Sequence, residues 1–488
     1  MTTTEALHRL TSYEPGRAWD APVNDPRILQ DLKTNDSERK TPFVKQYATT
    51  LPRIPLPREF PSTADSVLAV LAGTARPAAT ALDLTGLSRL LHLSAGVVRT
   101  RTFEDGSVHP FRASGSAGAR FPLELYVAIP EGGILPGVHW YDPVEHALVQ
   151  VGPAPRTTPA AAAAALIVTG IPWRTGWRYR ERGYRHIYWD AGTMLSQTLA
   201  LAAAAGLEAR LYTEFPDAAV AGLVGADGVH EWPVAVVALG PGTPALEAAG
   251  VAVAGVTDPD PVEFPIETAA QRAGDMDRLG EPWERAPAVT VPVPVLGQGT
   301  ATVDEVIARR GSQRRMNPGR SLPRETLETC LTLALRGLDI EHWVAAHAVD
   351  GLQPGIYRWP ELDKPVRAGS EAEMRAELHR VCLGQALGRD AAFVAVAATD
   401  VTRLSDRGYR RAQLAAGLAE GRMHLAAYAL GAGATGMTFL DSEIPALIPG
   451  GGPDALIFTC VGVPANVSKA AGRPGEPTVI GKRITPAQ

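Results

Sequence analysis

The chain is poor in several of the features that would assign a function at once. It has 3 cysteines in 488 residues, Cys330, Cys382 and Cys460. They are an odd number with no C-x-x-C pair, which argues against a disulfide framework and for a reducing, cytoplasmic setting. Cys330 and Cys460 lie in apolar runs, where packing is the expected role. Charge of one sign is also lacking: 47 Lys+Arg face 52 Asp+Glu, a formal net charge of -5. Nothing in that balance argues for a nucleic-acid groove or a polybasic membrane patch. The longest apolar run, Ala160 to Gly170, is too short to span a bilayer. The N-terminus has no signal-peptide pattern. No G-x-G-x-x-G follows a strand and no phosphate-loop lysine stands where one is needed. H-E-x-x-H, a clustered Cys/His metal-ligand set and a G-x-S-x-G elbow are absent as well.

What is present is an internal repeat. Glu181–Gly206 and Asp406–Gly431 align in register, with Arg-Gly-Tyr-Arg, Ala-Gly and the closing glycine in both copies. A repeat of this length predicts two related domains packed as an intramolecular pseudo-dimer. Flanking segments follow the same order in each half. PLELYVAI, ALIVTG and WPVAVVALG read as strands of the first half, and AAFVAVAAT and ALIFTCVGV as strands of the second. PGVHWY is mirrored by PGIYRW, and the repeat itself is a long helix. Intermixed strands and helices make each half α+β or α/β. The expected organisation is an extended N-terminal arm over 1–60, a first domain over 61–250 and a Pro-rich linker over 251–299. A second domain over 300–465 and a polar tail over 466–488 complete it.

Four constellations could carry chemistry. RRGSQRR, at a helix exit, brings Arg309, Arg310 and Ser312 together. Arginine forks and a hydroxyl suit a phosphate, while a solvated basic helix end is the plainer alternative. SGSAGARFP supplies Ser114, Ser116 and Gly118 in a small, flexible loop that leads into a strand. LGAGATGMTF places Gly433 and Gly436 after the second repeat helix, either beside a ligand or as a helix cap and edge strand. Tyr184, His186 and Tyr188 cluster at the start of the first repeat helix and could exchange a proton, packing being the alternative.

Taken together these segments resemble the nitroreductase-like flavoenzymes. The nearer resemblance is to the tandem form related to SagB-type and thiazoline/oxazoline dehydrogenases of peptide natural-product pathways. It rests on SGSAGARFPLELYV, ARRGSQRRM and the two RGYR…AG segments. The resemblance implies two fused nitroreductase-like domains with FMN bound at their join. Arg309, Arg310 and Ser312 would hold phosphate and ribityl oxygens, and Gly433 and Gly436 would line the ring. Ser114, Ser116 and Gly118 would come from the other domain, with Arg473 or Arg483 closing over the phosphate. The reciprocal motifs are eroded. TARPAATAL, Thr74 to Leu82, keeps only Arg76, and the region around LDIEHWVAAH has neither the serines nor the glycines. One FMN per chain is therefore expected.

The implied activity is FMN-dependent dehydrogenation of a peptide-derived or small heterocyclic substrate, with reoxidation by oxygen. Tyr184, His186 or Tyr188 would stand in for the Lys-Tyr pair such enzymes use, since no lysine occurs there. An NAD(P)H-dependent nitro or quinone reductase is the second reading. A flavin-free peptide-binding scaffold, partnered with a biosynthetic enzyme, is the third. The pseudo-dimer leaves further homodimerisation open.

Overall fold

The computed structural model describes residues 1–488 apart from 17–21, 30–39, 105, 158–159, 292–299, 451, 482–484 and 487–488. The N-terminal arm carries helix α1 (Thr3–Leu10), capped by Thr2, and strand β1 (Arg53–Pro55). The first half continues with α2 (Val67–Ala72), α3 (Leu84–Ala95), β2 (Val97–Thr102) and β3 (Val108–Arg112). A single turn of 3₁₀ helix, Ala117–Ala119, leads to β4 (Leu123–Ile129). The β5 (Gly137–Asp142) and β6 (Ala147–Gly152) hairpin follows, then β7 (Ala164–Gly170), α4 (Pro172–Tyr179) and α5 (Gly183–Ala204). The half closes with β8 (Ala209–Tyr212), α6 (Asp217–Val224) and β9 (Trp232–Leu239), and the linker holds α7 (Pro265–Ala273).

The second half begins with α8 (Val303–Arg309), which is set by a capping box between Thr302 and Glu305. Next come α9 (Arg324–Leu335), β10 (Glu341–Ala346), β11 (Gly355–Arg358), β12 (Arg367–Ala368), α10 (Glu371–Val381) and α11 (Ala386–Asp390). They precede β13 (Phe393–Thr399), α12 (Asp406–Ala429), β14 (Gly433–Met437), α13 (Ile444–Leu447) and β15 (Asp454–Gly462). Short strands β16 (Asn466–Val467), β17 (Thr478–Val479) and β18 (Thr485–Pro486) end the chain.

Two large antiparallel sheets form among the described residues, beside two small ones. The first has the order β1-β6-β5-β4-β7-β9-β8 and the second β12-β11-β10-β13-β15-β14. Apart from β1, which the arm adds at an edge, the two orders match strand for strand. The strands read as near-continuous apolar runs because both faces are covered. On β4, Leu125, Val127 and Ile129 face one core with α5, while Tyr126 and Ala128 face another with α6.

The repeat helices α5 and α12 make the most extensive helix contact in the molecule. Three glycines permit it. A Cβ on Gly192 would lie 2.6 Å from the Gly417 carbonyl carbon, one on Gly417 2.8 Å from Trp189 Cα, and one on Gly421 2.8 Å from Thr193 Cα. The core is continuous across the halves: Leu166 and Val234 of the first sheet share a cluster with Leu414, Leu418, Leu456 and Ile457. The tail returns to the first half, where β17 pairs in parallel with β2, Thr478 opposite Arg99. The three cysteines are buried and free. No helix among the described residues is long and apolar enough to cross a membrane.

Candidate active site

A cavity of about 180 Å³ opens between the two halves. One wall is the loop from Ala113 to Phe121 together with β2. The other is the segment from Arg310 to Arg314, and residues 466–469 and 480–481 of the tail close it. Six cationic side chains line it: Arg99, Arg101, Arg112, Arg310, Arg314 and Lys469. No acidic residue lies among its described lining residues.

Arg99 and Arg310 are held by backbone and amide oxygens rather than by carboxylates. Arg310 is 2% exposed. Its Nη1 donates to the Ala113 carbonyl at 2.5 Å and to Gln197 Oε1 at 3.0 Å, while its Nε finds no acceptor. Arg99 donates through Nε to the Lys469 carbonyl at 2.6 Å and through Nη2 to the Ala308 and Arg310 carbonyls at 2.8 and 3.1 Å. Burial, and then the neighbouring Arg310, push the Arg99 guanidinium down to about 10. Burial likewise lowers Arg310. Burial weakens both charges and Arg310 further depresses Arg99, a cost that a bound anion would relieve. Arg112 is already engaged, donating to the Leu123 carbonyl and lying 3.7 Å from Glu124.

The glycine-serine loop reaches this cationic wall across the join. A Cβ on Gly115 would lie 3.2 Å from Arg310 Nη2 and 3.6 Å from Ser312 Oγ. The loop is tightly wound. Gly118, Ala119 and Phe121 all have positive φ, at 57°, 53° and 50°. Such a backbone is strained for the two non-glycine residues and is held by its surroundings. One holder is Asp190 of α5, which accepts from Ser116 Oγ at 2.5 Å and from the Ala117 N–H at 3.0 Å. Phe111 and Phe121 form an aromatic face of the cavity, with Phe43 and His109 packed behind them.

Of the residues singled out in the sequence, the fold brings Arg310, Ser312, Ser114 and Ser116 onto this one cavity. Arg309, next in sequence, is exposed and donates to the Tyr428 carbonyl at 3.4 Å. Gly118 sits behind the loop against Tyr179 and Arg178. Gly433 and Gly436 lie on edge strand β14, outside the lining. Their missing Cβ atoms make room for Gln313 Oε1 and Glu420 Oε1, each 2.9 Å from the Cβ position. Arg473 is exposed in the Arg473–Glu476 turn. Arg483 lies outside the described residues.

Tyr184 and Tyr188 are buried and both donate to Gln271 Oε1, at 3.2 and 2.8 Å. His186 is enclosed between Tyr179 and Trp189, with ring centroids 4.1 and 4.6 Å away. Burial, then Arg182 and Arg185, hold it well below the usual imidazole range. None of the three lines the cavity.

Sequence reasoning passed over Arg99, Arg101, Lys469 and Asp190. The first two carry a legible signal. They alternate in VVRTRT, so a strand puts both on one face. Asp190 is marked by the repeat, whose other copy has Ala415 in its place.

The reciprocal position is covered by the chain itself. After α2, a Cβ on Gly73 would collide with the Arg336 guanidinium. Arg336 donates to the Ala286 carbonyl at 3.0 Å, Trp283 Nε1 to the Gly337 carbonyl at 3.0 Å, and the Val289 N–H to the Ala72 carbonyl at 2.9 Å. Linker residues therefore lie where the first half would mirror the Arg310 segment.

The donor set fits a flat anionic group such as FMN. It offers buried guanidinium groups with an unused N–H, hydroxyls of Ser114 and Ser312, and a cradle at Gly115 that a side chain would fill. The profile of the Nitroreductase family matches residues 142–241. A candidate nitroreductase of Methanocaldococcus jannaschii is 28% identical over 138 residues, 26% of this chain and 66% of that protein. The chain thus spans just under two thirds of that relative's length. The crystal structure of a candidate nitroreductase from Anabaena variabilis superposes with a TM-score of 0.72 at 23% identity, covering 95% of this chain and 100% of that one. An Escherichia coli microcin synthetase complex, at 20% identity over 49% of this chain and 91% of that one, reaches a TM-score of only 0.28 and carries no argument. The chain has the fold of the nitroreductase superfamily.

Proposed function

We propose that the two halves are a fused pair forming one FMN site, and that the protein is an FMN-dependent oxidoreductase reducing small nitro or quinone compounds with NAD(P)H. The carrying observation is the cation-lined cavity in which the Ser114–Ser116 loop of one half meets Arg310 and Ser312 of the other. Arg99, Arg310 and Ser312 would hold the phosphate, and Lys469 adds a further cation. Ser114 and Ser116 would border the ring beside Phe111 and Phe121. Bound flavin would supply two-electron transfer, and the chain's side chains would position it and restrict water. The linker over the reciprocal position supports a single cofactor per chain.

Dehydrogenation of a peptide-derived heterocycle, with a biosynthetic partner enzyme, stands behind this reading. Its candidate bases Tyr184, His186 and Tyr188 lie off the cavity. Reconstitution with FMN, followed by an absorption spectrum and flavin quantification, tests the proposal. One FMN per chain, bleached by anaerobic NADPH, is the expected result. Two per chain would overturn the single site. A colourless protein would favour the scaffold reading, and flavin inert to NAD(P)H the dehydrogenase.

A further inference from the structure

The reading of the cavity as a flavin site gives Asp190 a structural place, as a holder of the serine loop, but no chemical one. Asp190 is 5% exposed and has no ion pair among the described residues. A carboxylate in that position is costly unless it is neutralised or serves a purpose. Its partner Ser116 lines the cavity, and the hydroxyl is only partly used. Ser116 Oγ gives its proton to Asp190 Oδ2 at 2.5 Å and accepts from the Phe121 N–H at 2.8 Å. A hydroxyl has two lone pairs, so one stays available. The repeat sharpens the point. Asp190 corresponds to Ala415, and the acid stands only in the copy whose half carries the serine loop.

We propose that Ser116 and Asp190 form a proton relay into the cavity, with Ser116 touching the substrate and Asp190 acting through it. This rests on the cavity being the reaction site. A proton leaving a substrate N–H or O–H passes to Ser116 Oγ as the serine's own proton passes to Asp190 Oδ2. The carboxylate becomes a carboxylic acid, the serine is regenerated, and the electron pair of the broken bond stays with the substrate. In the reductive direction the same proton moves outward, from Asp190 to Ser116 Oγ and from Ser116 to the reduced substrate.

The electrostatics favour such a role. Burial, opposed by the Ser116 and Ala117 hydrogen bonds and aided by Glu420, pushes the Asp190 carboxyl up to about 7. Glu420 of α12 faces it across the glycine crossing. Burial alone would raise Glu420, but His424, Thr193 and Arg310 outweigh it and keep it low. Two buried acids with values driven apart divide the proton-holding and charge-holding tasks between them. Among the described residues, Tyr179 at the end of α4 and His186 one turn earlier on α5 are further titratable neighbours, and the cations Arg178 and Arg310 lie against Gly118 and Gly115 of the loop. Burial raises Tyr179 and lowers His186, so both are neutral.

Infrared difference spectroscopy on the full chain without flavin tests the relay apart from any activity. A buried carboxyl C=O band should titrate with a midpoint near 7 and be lost in Asp190→Asn. In Ser116→Ala the midpoint should move upward, because a donor to the carboxylate has gone. If no such band titrates, or if the midpoint does not move in Ser116→Ala, the relay is overturned. That second variant decides the matter even where Asp190→Asn fails to fold.

The FMN-loaded enzyme, assayed with NADPH and menadione, gives the second readout. Asp190→Asn should lower kcat about a hundredfold and flatten the pH limb near neutrality. Ser116→Thr should restore what Ser116→Ala loses. Wild-type kinetics in both variants would overturn the relay. If the wild-type chain binds no flavin, the functional reading fails while the infrared titration still decides whether the pair shares a proton.

Discussion

Arg310 is fixed by two acceptors from the first half, the Ala113 carbonyl and Gln197 Oε1, although it belongs to the second. Its charge is therefore pre-placed, and little side-chain freedom remains to be lost when an anion binds. Arg310→Ala should weaken FMN binding roughly tenfold to a hundredfold, the value of a charge-assisted hydrogen bond of about 1.5–3 kcal/mol. Fluorescence titration of FMN measures it. Asp190 yields a second expectation at this scale. Its folded value, about 7, lies above the ordinary 3.8. The folded state holds a proton that the unfolded state releases, so the stabilisation is complete at low pH and is lost as the pH rises through the folded value. Thermal unfolding of the wild type should therefore lose ground against Asp190→Asn between about pH 4 and pH 7. Parallel curves over that window would refute the raised value.

The helix pair α5 and α12 depends on its glycines more than on its apolar pattern. With Gly192 and Gly417 the backbones touch, and the buried carboxylates Asp190 and Glu420 are brought near each other from opposite halves. Gly192→Ala leaves propensity unharmed, since alanine is the better helix former. Its Cβ nevertheless falls 2.6 Å from the Gly417 carbonyl carbon. Forcing the helices apart should cost about 1–3 kcal/mol, read from the urea midpoint. It should also weaken FMN binding, because the cavity walls are carried on the same two halves. An unchanged midpoint would show that the crossing relaxes freely.

At the level of the molecule, the halves are fastened at points far along the chain from each other. Asp217 of α6 is 4% exposed. It accepts from Arg407 Nη1 at 2.7 and 2.8 Å, from Arg410 Nη1 at 3.0 Å and from the Met276 N–H at 2.9 Å. Removing one side of such a buried pair leaves uncompensated charge, so Asp217→Ala should cost about 3–5 kcal/mol in chemical denaturation. A second fastening is Asp441, which takes Arg182 from the 3₁₀ turn before α5, Arg185 from α5 and the Tyr13 N–H from the arm. Arm, first half and second half meet there, so the arm is a structural part of the molecule.

The repeat, the strand runs and the long helices were legible in the sequence because local periodicity sets them. The arginine–serine motif and the serine–glycine loop were legible too, since small and bidentate side chains leave a compositional trace. Which of their residues face the cavity was not. Arg309 and Arg310 are neighbours, yet the end of α8 turns one outward and buries the other. Gly433 and Gly436 read either as ligand contacts or as part of an edge strand; they lie on edge strand β14 and make room for Gln313 and Glu420. Tyr184, His186 and Tyr188 carry reactive groups on the N-terminal part of α5, which is buried on every side. Composition and pattern determined the elements and the chemical vocabulary of the chain. Only tertiary packing decided which side chains share one cavity, because that depends on the angle and closeness of two helices whose contact is made by absent side chains.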